Sequence, residues 1–524
     1  MKRNKFLLYA CLGLSLASCS KALDINDNPN NPTESTPQLV FPQALVATAR
    51  LVPTYNSYGT QLVGYRANGG GVSGWGSIIS YNFTTTDFNS LWSTSYDILN
   101  DLQYVENTAK PQGQMDLYFA AKLLKVYNYV NLVDTYNDIP YSQALKGKAS
   151  LTPAYDKATD IYKDLGTQLD SVVAYFKTST SSTLFKNTDF LYKGDGIKWA
   201  QLGNTLKLKM LLRAKDKVQF TKTTLDDVGF VTADVIVNPG FTKNDGKQNP
   251  MWNAWAYSYD GAAVGAASQY APTPYIMTFY NGTKISDAAR ANLIYKTGVS
   301  TPVNQLGYQQ SDAGRGQAPS SWFLGTSSTS YTGKGILKGP AAGQPILLAS
   351  ESYFLQAEAA LKGITSGTVA TLFDEGIKAS YNYLNRNEAD ATTVSAADLT
   401  AYLTNYKAEN ANNYLVNIAS ATSDVQKLQA IITQKYVAFN FLFGHEAWNE
   451  YRRTGYPSLI NPNTNAYYPN NIANRNNTFV SITSEATATD KLPTRVMYPN
   501  TEFNYNSANI PSIDKYTSKI FWAR

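Results

Sequence analysis

The chain reads as a mainly α fold in which antiparallel helix hairpins carry a large irregular, aromatic-rich part. Apolar residues recur at three- and four-residue steps over several long stretches, the period of a helix with one buried face. Gly and Pro stop those stretches at intervals that suit hairpins. Residues 240–340 drop the period over most of their length, yet they hold Trp252, Trp255, Tyr257, Tyr259, Tyr270, Tyr275, Tyr280, Tyr308, Trp322, Phe323 and Tyr331. A long irregular segment this rich in aromatics is expected to be functional rather than disordered.

The first residues form a leader. Lys2, Arg3 and Lys5 precede the apolar run 6–16, which is too short to span a bilayer, and Leu16-Ala17-Ser18-Cys19 fits a lipoprotein signal. Residues 1–18 are expected to be removed, Cys19 to be lipidated, and 19–37 to lead to a single domain over 38–524. Two or three acyl chains anchor a protein stably where one binds only marginally, so membrane contact is expected through the lipid anchor alone. Cys11 leaves with the signal and Cys19 carries lipid, so no thiol remains for a disulfide, a metal site or a nucleophile. Lysine and arginine number 45 against 39 acids, and losing Lys2, Arg3 and Lys5 halves that excess. A balance so small argues against a nucleic-acid partner. The 38 tyrosines and 8 tryptophans are too many for a core alone; their flat faces and polar tips suit contact with sugars or peptides.

A first helix is expected from about Pro37 to Tyr65, followed by the loop Gly69-Gly70-Gly71-Val72-Ser73-Gly74-Trp75-Gly76. Its G-x-G-x-x-G spacing follows a helix rather than a strand, so the dinucleotide reading fails. Ala120, Leu123, Leu124, Tyr127 and Val130 make one stripe. After a turn at Asn137-Asp138-Ile139-Pro140, Thr152 is expected to cap and Pro153 to open the antiparallel partner with Ala158, Ile161, Tyr162, Leu165, Leu169 and Val172. Trp199, Leu202, Leu206 and Met210 predict another helix. A helix from Pro345 to Leu361 stops at Gly363 and meets a partner bearing Phe373, Gly376, Ile377 and Leu384, with small residues allowing close approach. Repeated hairpins of this length resemble tetratricopeptide units. The densest run is 423–457: Leu428, Ile431, Ile432, Tyr436, Phe439, Leu442 and Phe443 share one face, Ser423 with Gln426 predicts a capping box, and Gly455 with Pro457 ends it.

His445 is the lone histidine, so neither a His-based triad nor a multi-His metal site can be built, and no cofactor motif is present. Glu446 and Glu450 lie one helical turn apart, but Arg452 and Arg453 beside them favour structural ion pairs over a glycosidase acid pair. Sugar binding asks for less: a pyranose C–H face stacks on Trp or Tyr while its hydroxyls pair with amides. One such contact is worth roughly 1–3 kcal/mol, so two or three give roughly millimolar to micromolar affinity. Candidate contacts are Trp75 with Tyr81 and Asn82, then Trp252, Trp255 and Tyr257, and then Trp322.

Several motifs together resemble the SusD/RagB family of outer-membrane nutrient-binding lipoproteins, particularly its SusD-like, starch-binding-associated branch. They are Cys19, Asn28-Pro29-Asn30-Asn31-Pro32-Thr33, Asp138-Ile139-Pro140-Tyr141, Tyr353-Phe354-Leu355-Gln356-Ala357-Glu358-Ala359, the run from Glu375 to Ser380, the run from Glu446 to Pro457, and Pro493-Thr494-Arg495-Val496-Met497-Tyr498-Pro499. Asp287-Ala288-Ala289-Arg290 departs from the usual spacing. The resemblance implies a tetratricopeptide-like scaffold and a non-enzymatic lipoprotein at the cell surface. It further implies a SusC-like TonB-dependent transporter as partner and an oligosaccharide as ligand, with a peptide, as in RagB-like relatives, as the alternative. The shared motifs lie in the scaffold, so they transfer fold and partner rather than binding residues. A glycoside hydrolase and a purely structural adaptor remain the competing classes.

Overall fold

The computed structural model describes residues 35–69, 75–265, 269–308 and 324–524. The leader, Cys19 and Trp322 lie outside them. Long helices dominate: α1 (Pro37–Thr60), α2 (Asn89–Ala109), α3 (Met115–Tyr136), α4 (Ala158–Thr178), α5 (Gly196–Ala214), α6 (Ala349–Leu361), α7 (Val369–Asn385), α8 (Ala396–Glu409), α9 (Asp424–Ala438) and α10 (Gly444–Thr454). The neighbours α2/α3, α4/α5 and α6/α7 pack as hairpins, α1 lies on α2, and α10 returns from the far end of the sequence to cross α1. The mainly α, hairpin-based fold expected from the stripes is what forms.

The strands among the described residues are short and pair two by two. One ladder organises the molecule: Val235–Val237 runs antiparallel to Gln344–Leu347 and so closes the irregular stretch between them into an insertion on the helical body. Within that insertion the elements are brief, such as the helices Pro250–Trp255 and Ala288–Ile294.

Element boundaries shift where a partner outside the helix intervenes. α1 ends at Thr60 rather than near Tyr65, because Arg66 folds back over the helix end. Its Nε donates to Thr60 Oγ1 at 2.7 Å and its Nη2 to the Ser57 carbonyl at 2.7 Å, as a cation at a helix C-terminus should. Thr152 and Pro153 lie outside α4, whose cap is Lys157; Tyr155–Asp156 instead pairs with Ile139–Pro140. Ile346 and Leu347 join the ladder, so α6 begins at Ala349. Ser423 does cap α9 through the Gln426 amide, but the Gln426 side chain accepts from Thr422 instead of closing the box.

The expected long helix through residues 423–454 is broken at 439–443, where Phe441 takes φ 59°. Asn56 of α1 holds the break, donating to the Phe441 carbonyl at 2.6 Å and accepting from the Gly444 amide at 2.8 Å. The helices touch here: a Cβ on Gly59 would lie 2.0 Å from the His445 nitrogen, and one on Gly444 2.5 Å from the Thr60 nitrogen.

Behind this crossing lies a buried network of charge. Arg213 of α5 pairs with Asp134 of α3 and with Glu446 of α10; Lys209 reaches Glu351 at 2.5 Å and Glu446 at 3.2 Å. Arg453 binds Glu358 of α6 and Glu450, both at 2.6 Å, and Lys435 of α9 lies 3.6 Å from Glu450. Burial alone would raise the Glu446 carboxyl, but Arg213 and Lys209 overcome it and hold it well below the usual carboxylate range. Glu446 and Glu450 are thus consumed by ion pairs. Arg452 makes none of these pairs; it donates to the carbonyls of Thr494 and Asp134 and to Asn449.

Removing one partner of a buried pair strands the other charge, which costs about 3–5 kcal/mol. Arg213→Ala is therefore expected to lower the unfolding free energy by that amount in denaturant titration. Lys427→Ala, at the exposed pair with Asp424, should change it little; equal small effects would contradict a structural role for the network. His445 supplies a pH test. Burial pulls its imidazole down to about 4 from an ordinary 6.5. Between those values the unfolded chain binds the extra proton, so stability falls as pH drops from about 6.5 to about 4. Relative to His445→Gln, the parent should lose up to about 3 kcal/mol across that window; a constant difference would contradict it.

Candidate functional site

Three loops meet beyond the C-terminus of α1. Arg66–Asn68 pairs antiparallel with Tyr270–Pro272, Arg66 opposite Pro272 and Asn68 opposite Tyr270. Asn304 donates its side-chain amide to the Asn68 carbonyl at 2.7 Å, and Asn68 donates to the Tyr308 carbonyl at 2.5 Å. The backbone of each loop is thereby fixed by amides of another, a rigid mount for irregular chain.

On that mount the side chains form an aromatic face. Trp75 and Tyr270 are half-buried, their ring centres 5.5 Å apart, and the buried Trp255 props Tyr270 from below at 5.6 Å and 79°. Arg66 sits among the three rings, its guanidinium carbon 4.0 Å from the Tyr270 centroid, 5.5 Å from Trp75 and 6.0 Å from Trp255. Burial pulls the guanidinium below its ordinary pKa, and Tyr270 opposes the shift. Cation–π contact and the hydrogen bonds to the α1 end replace the lost water. Arg66 thus locks the two half-exposed rings to the scaffold.

A second group adjoins it through the helix Pro250–Trp255. Asn249 caps that helix, accepting from the Trp252 amide at 2.8 Å while donating to the carbonyls of Ala342 and Gly343. Trp252 and Trp255, three apart, both turn inward with 1 % of their surface exposed. Trp252 backs Tyr257 at 6.0 Å and Tyr331 at 4.6 Å, which are half-buried, and Tyr331 donates to Glu388.

The expected residues therefore divide. Trp75 and Tyr257 keep part of their rings accessible. Trp252 and Trp255 are buttresses: burying an indole is worth on the order of 3 kcal/mol, and rings from other segments cover them. Tyr81 is fully buried, its hydroxyl accepting from the Ser481 amide at 3.2 Å. Asn82 is exposed, but its amide donates to Glu485 at 2.7 Å and accepts from Lys515. Arg66, Tyr270 and Tyr331 were not among the expected site residues. Tyr270 and Tyr331 lie in the aromatic insertion, which is the signal that pointed to the region; nothing local marks Arg66. Among the described residues no group of three or more His, Cys, Asp or Glu is placed to hold a metal ion, and no helix is long and apolar enough to cross a membrane.

Comparison with known proteins agrees with this architecture. The family profile described as SusD-like, starch-binding and associating with the outer membrane matches residues 29–479. A SusD homologue from Bacteroides fragilis superposes with a TM-score of 0.62 at 20 % identity, covering 93 % of this chain and 99 % of that one. A SusD/RagB family protein from Bacteroides thetaiotaomicron gives 0.65 at 16 % identity over 93 % and 99 %. A chitin-binding SusD homologue from Flavobacterium johnsoniae gives 0.61 at 21 % identity over 91 % and 98 %. The comparison with curated proteins gave no match. At these identities the solved structures establish the fold, and the profile, spanning most of the chain, establishes the relationship: the chain belongs to the SusD/RagB family, in its SusD-like branch.

Proposed function

We propose that this chain is a lipid-anchored, non-enzymatic receptor that captures an oligosaccharide at the outer-membrane surface and delivers it to a SusC-like TonB-dependent transporter. The observation that carries the reading is the half-buried Trp75–Tyr270 pair, held over the buried Arg66 at the end of α1. Two rings mounted on fixed loops offer apolar faces to pyranose C–H groups at little cost in ordering, which is how weak stacking becomes useful affinity. The family's description as starch-binding, and the chitin-binding relative, support a glycan over other ligands. The anchor rests on Cys19 and the signal before it, and the transporter on the family resemblance. The non-enzymatic reading rests on the family resemblance; Glu446 and Glu450, the acid pair one turn apart, are themselves committed to buried ion pairs.

The test is calorimetric titration of the protein with starch- and chitin-derived oligosaccharides, with a peptide pool beside them. Trp75→Ala and Tyr270→Ala are each expected to weaken glycan binding by about tenfold or more, the loss of one stacked ring. Trp448→Phe, outside the face, should leave it unchanged. Affinity untouched by both ring deletions, or binding of peptides alone, would overturn the reading.

A further inference from the structure

A cavity of about 540 Å³ opens where α2 and α3 face the loop 141–146. Each helix lends it two residues one turn apart, Gln103 and Asn107 from α2, Lys125 and Tyr129 from α3. It shares no lining residue with the aromatic face at the end of α1.

The loop wall is held in place from behind. Asp156 accepts from the Tyr141 amide at 3.0 Å, from the Ser142 amide at 2.8 Å and from the Ser142 hydroxyl at 2.7 Å. The Tyr141 hydroxyl donates to Asp164 and accepts from Gln168 at 2.7 Å, and its ring packs edge-on with Tyr129 at 4.8 Å and 73°. Leu145 takes φ 62°, a left-handed conformation that a leucine keeps only when its surroundings impose it. A ligand would therefore meet walls already formed.

Those walls carry hydrogen-bonding capacity that the protein does not use. Tyr129 is 2 % exposed, yet its hydroxyl finds no partner among the described residues. Lys125 is buried as well; it donates to Gln103 at 2.7 Å and to Glu106 at 3.0 Å, which leaves one N–H of the ammonium. Asn107 accepts from the Gln103 amide at 2.8 Å, while its own NH2 group has no acceptor among the described residues. Charge is nearly balanced, because Glu106 neutralises Lys125 from behind, no carboxylate lines the cavity, and Lys146 is exposed at its rim.

We infer that this cavity is a second binding site, separate from the aromatic face, for a small neutral sugar held by hydrogen bonds rather than by stacking. A sugar hydroxyl both donates and accepts, so neighbouring hydroxyls can answer the Tyr129 hydroxyl, the spare ammonium N–H and the Asn107 amide together. The volume suits about one or two rings. An inorganic anion would meet an ammonium already paired with Glu106 and gain only the exposed Lys146, which is worth little. An apolar ligand would leave the Tyr129 hydroxyl buried without a partner.

The test is titration of the full mature protein carrying Trp75→Ala and Tyr270→Ala, so that the aromatic face is disabled, followed by saturation-transfer NMR. The probes are glucose, maltose, N,N′-diacetylchitobiose and inorganic phosphate. At least one of the three sugars is expected to bind with a millimolar Kd, and phosphate more weakly. Tyr129→Phe, which removes only the hydroxyl, and Asn107→Ala, at the exposed lip, should each weaken that binding about fivefold, the loss of one hydrogen bond. Thermal unfolding checks that both variants fold. If the aromatic face binds no glycan, the two ring changes alter nothing and the Tyr129→Phe comparison still stands. No sugar binding once the rings are gone, phosphate bound as tightly as the sugar, or sugar binding indifferent to both Tyr129→Phe and Asn107→Ala would each overturn the inference.

Discussion

The structure depends on charge buried where helices from distant parts of the sequence converge. Asp134, Glu351, Glu358, Glu446 and Glu450 face Lys209, Arg213, Lys435 and Arg453, drawn from α3, α5, α6, α9 and α10. Bringing so many ions out of water costs several kcal/mol each, and their mutual attraction returns that only when every member is in place. Such a network adds less to net stability than to register. A shift of α10 by one turn would leave carboxylates and guanidinium groups buried without partners, so one packing of the hairpins is selected over near alternatives.

That register reaches the surface through α1. α10 can cross α1 only where Gly59 and Gly444 meet, and Asn56 holds the turn that starts α10. A few residues on, the end of α1 receives Arg66, whose guanidinium anchors Trp75 and Tyr270, while Trp255 donates to Ser57 of the same helix at 3.2 Å. The aromatic face is therefore fixed to the scaffold at the helix end that the charge network positions from within. Fixed rings lose little freedom when a ligand arrives, and this suits them to weak, repetitive partners such as sugar rings.

Much of the helical scaffold was legible in the sequence because each long helix writes its own buried face at 3.6-residue spacing. The stripe of α4 and the stop of α6 at Gly363, φ 66°, needed no distant information. What escaped depended on contacts that a helix's own stripe does not record. The break at 439–443 is held by Asn56, and the early end of α1 by Arg66 folding back. Loops are harder still: an indole in the segment 252–257 is a ligand contact or a buttress according to which rings pack on it, and Tyr331, some 80 residues on, helps make Trp252 the latter. The aromatic insertion was therefore recognisable as the region of interest, while the division of labour within it was not. Charge misled less, since acids and arginines so dense in α10 had to be paired to be buried at all.

Rigid helices hold an aromatic face built on the loops at the end of α1, and we propose that ligand contact belongs to those loops rather than to the charged helix that first draws attention. Hydrogen–deuterium exchange with and without a bound oligosaccharide addresses this most directly, because it reports protection segment by segment. Added protection should appear in residues 61–82 and 257–275, with α9 and α10 unchanged. Protection concentrated in residues 424–454, with none in the loops, would contradict the account.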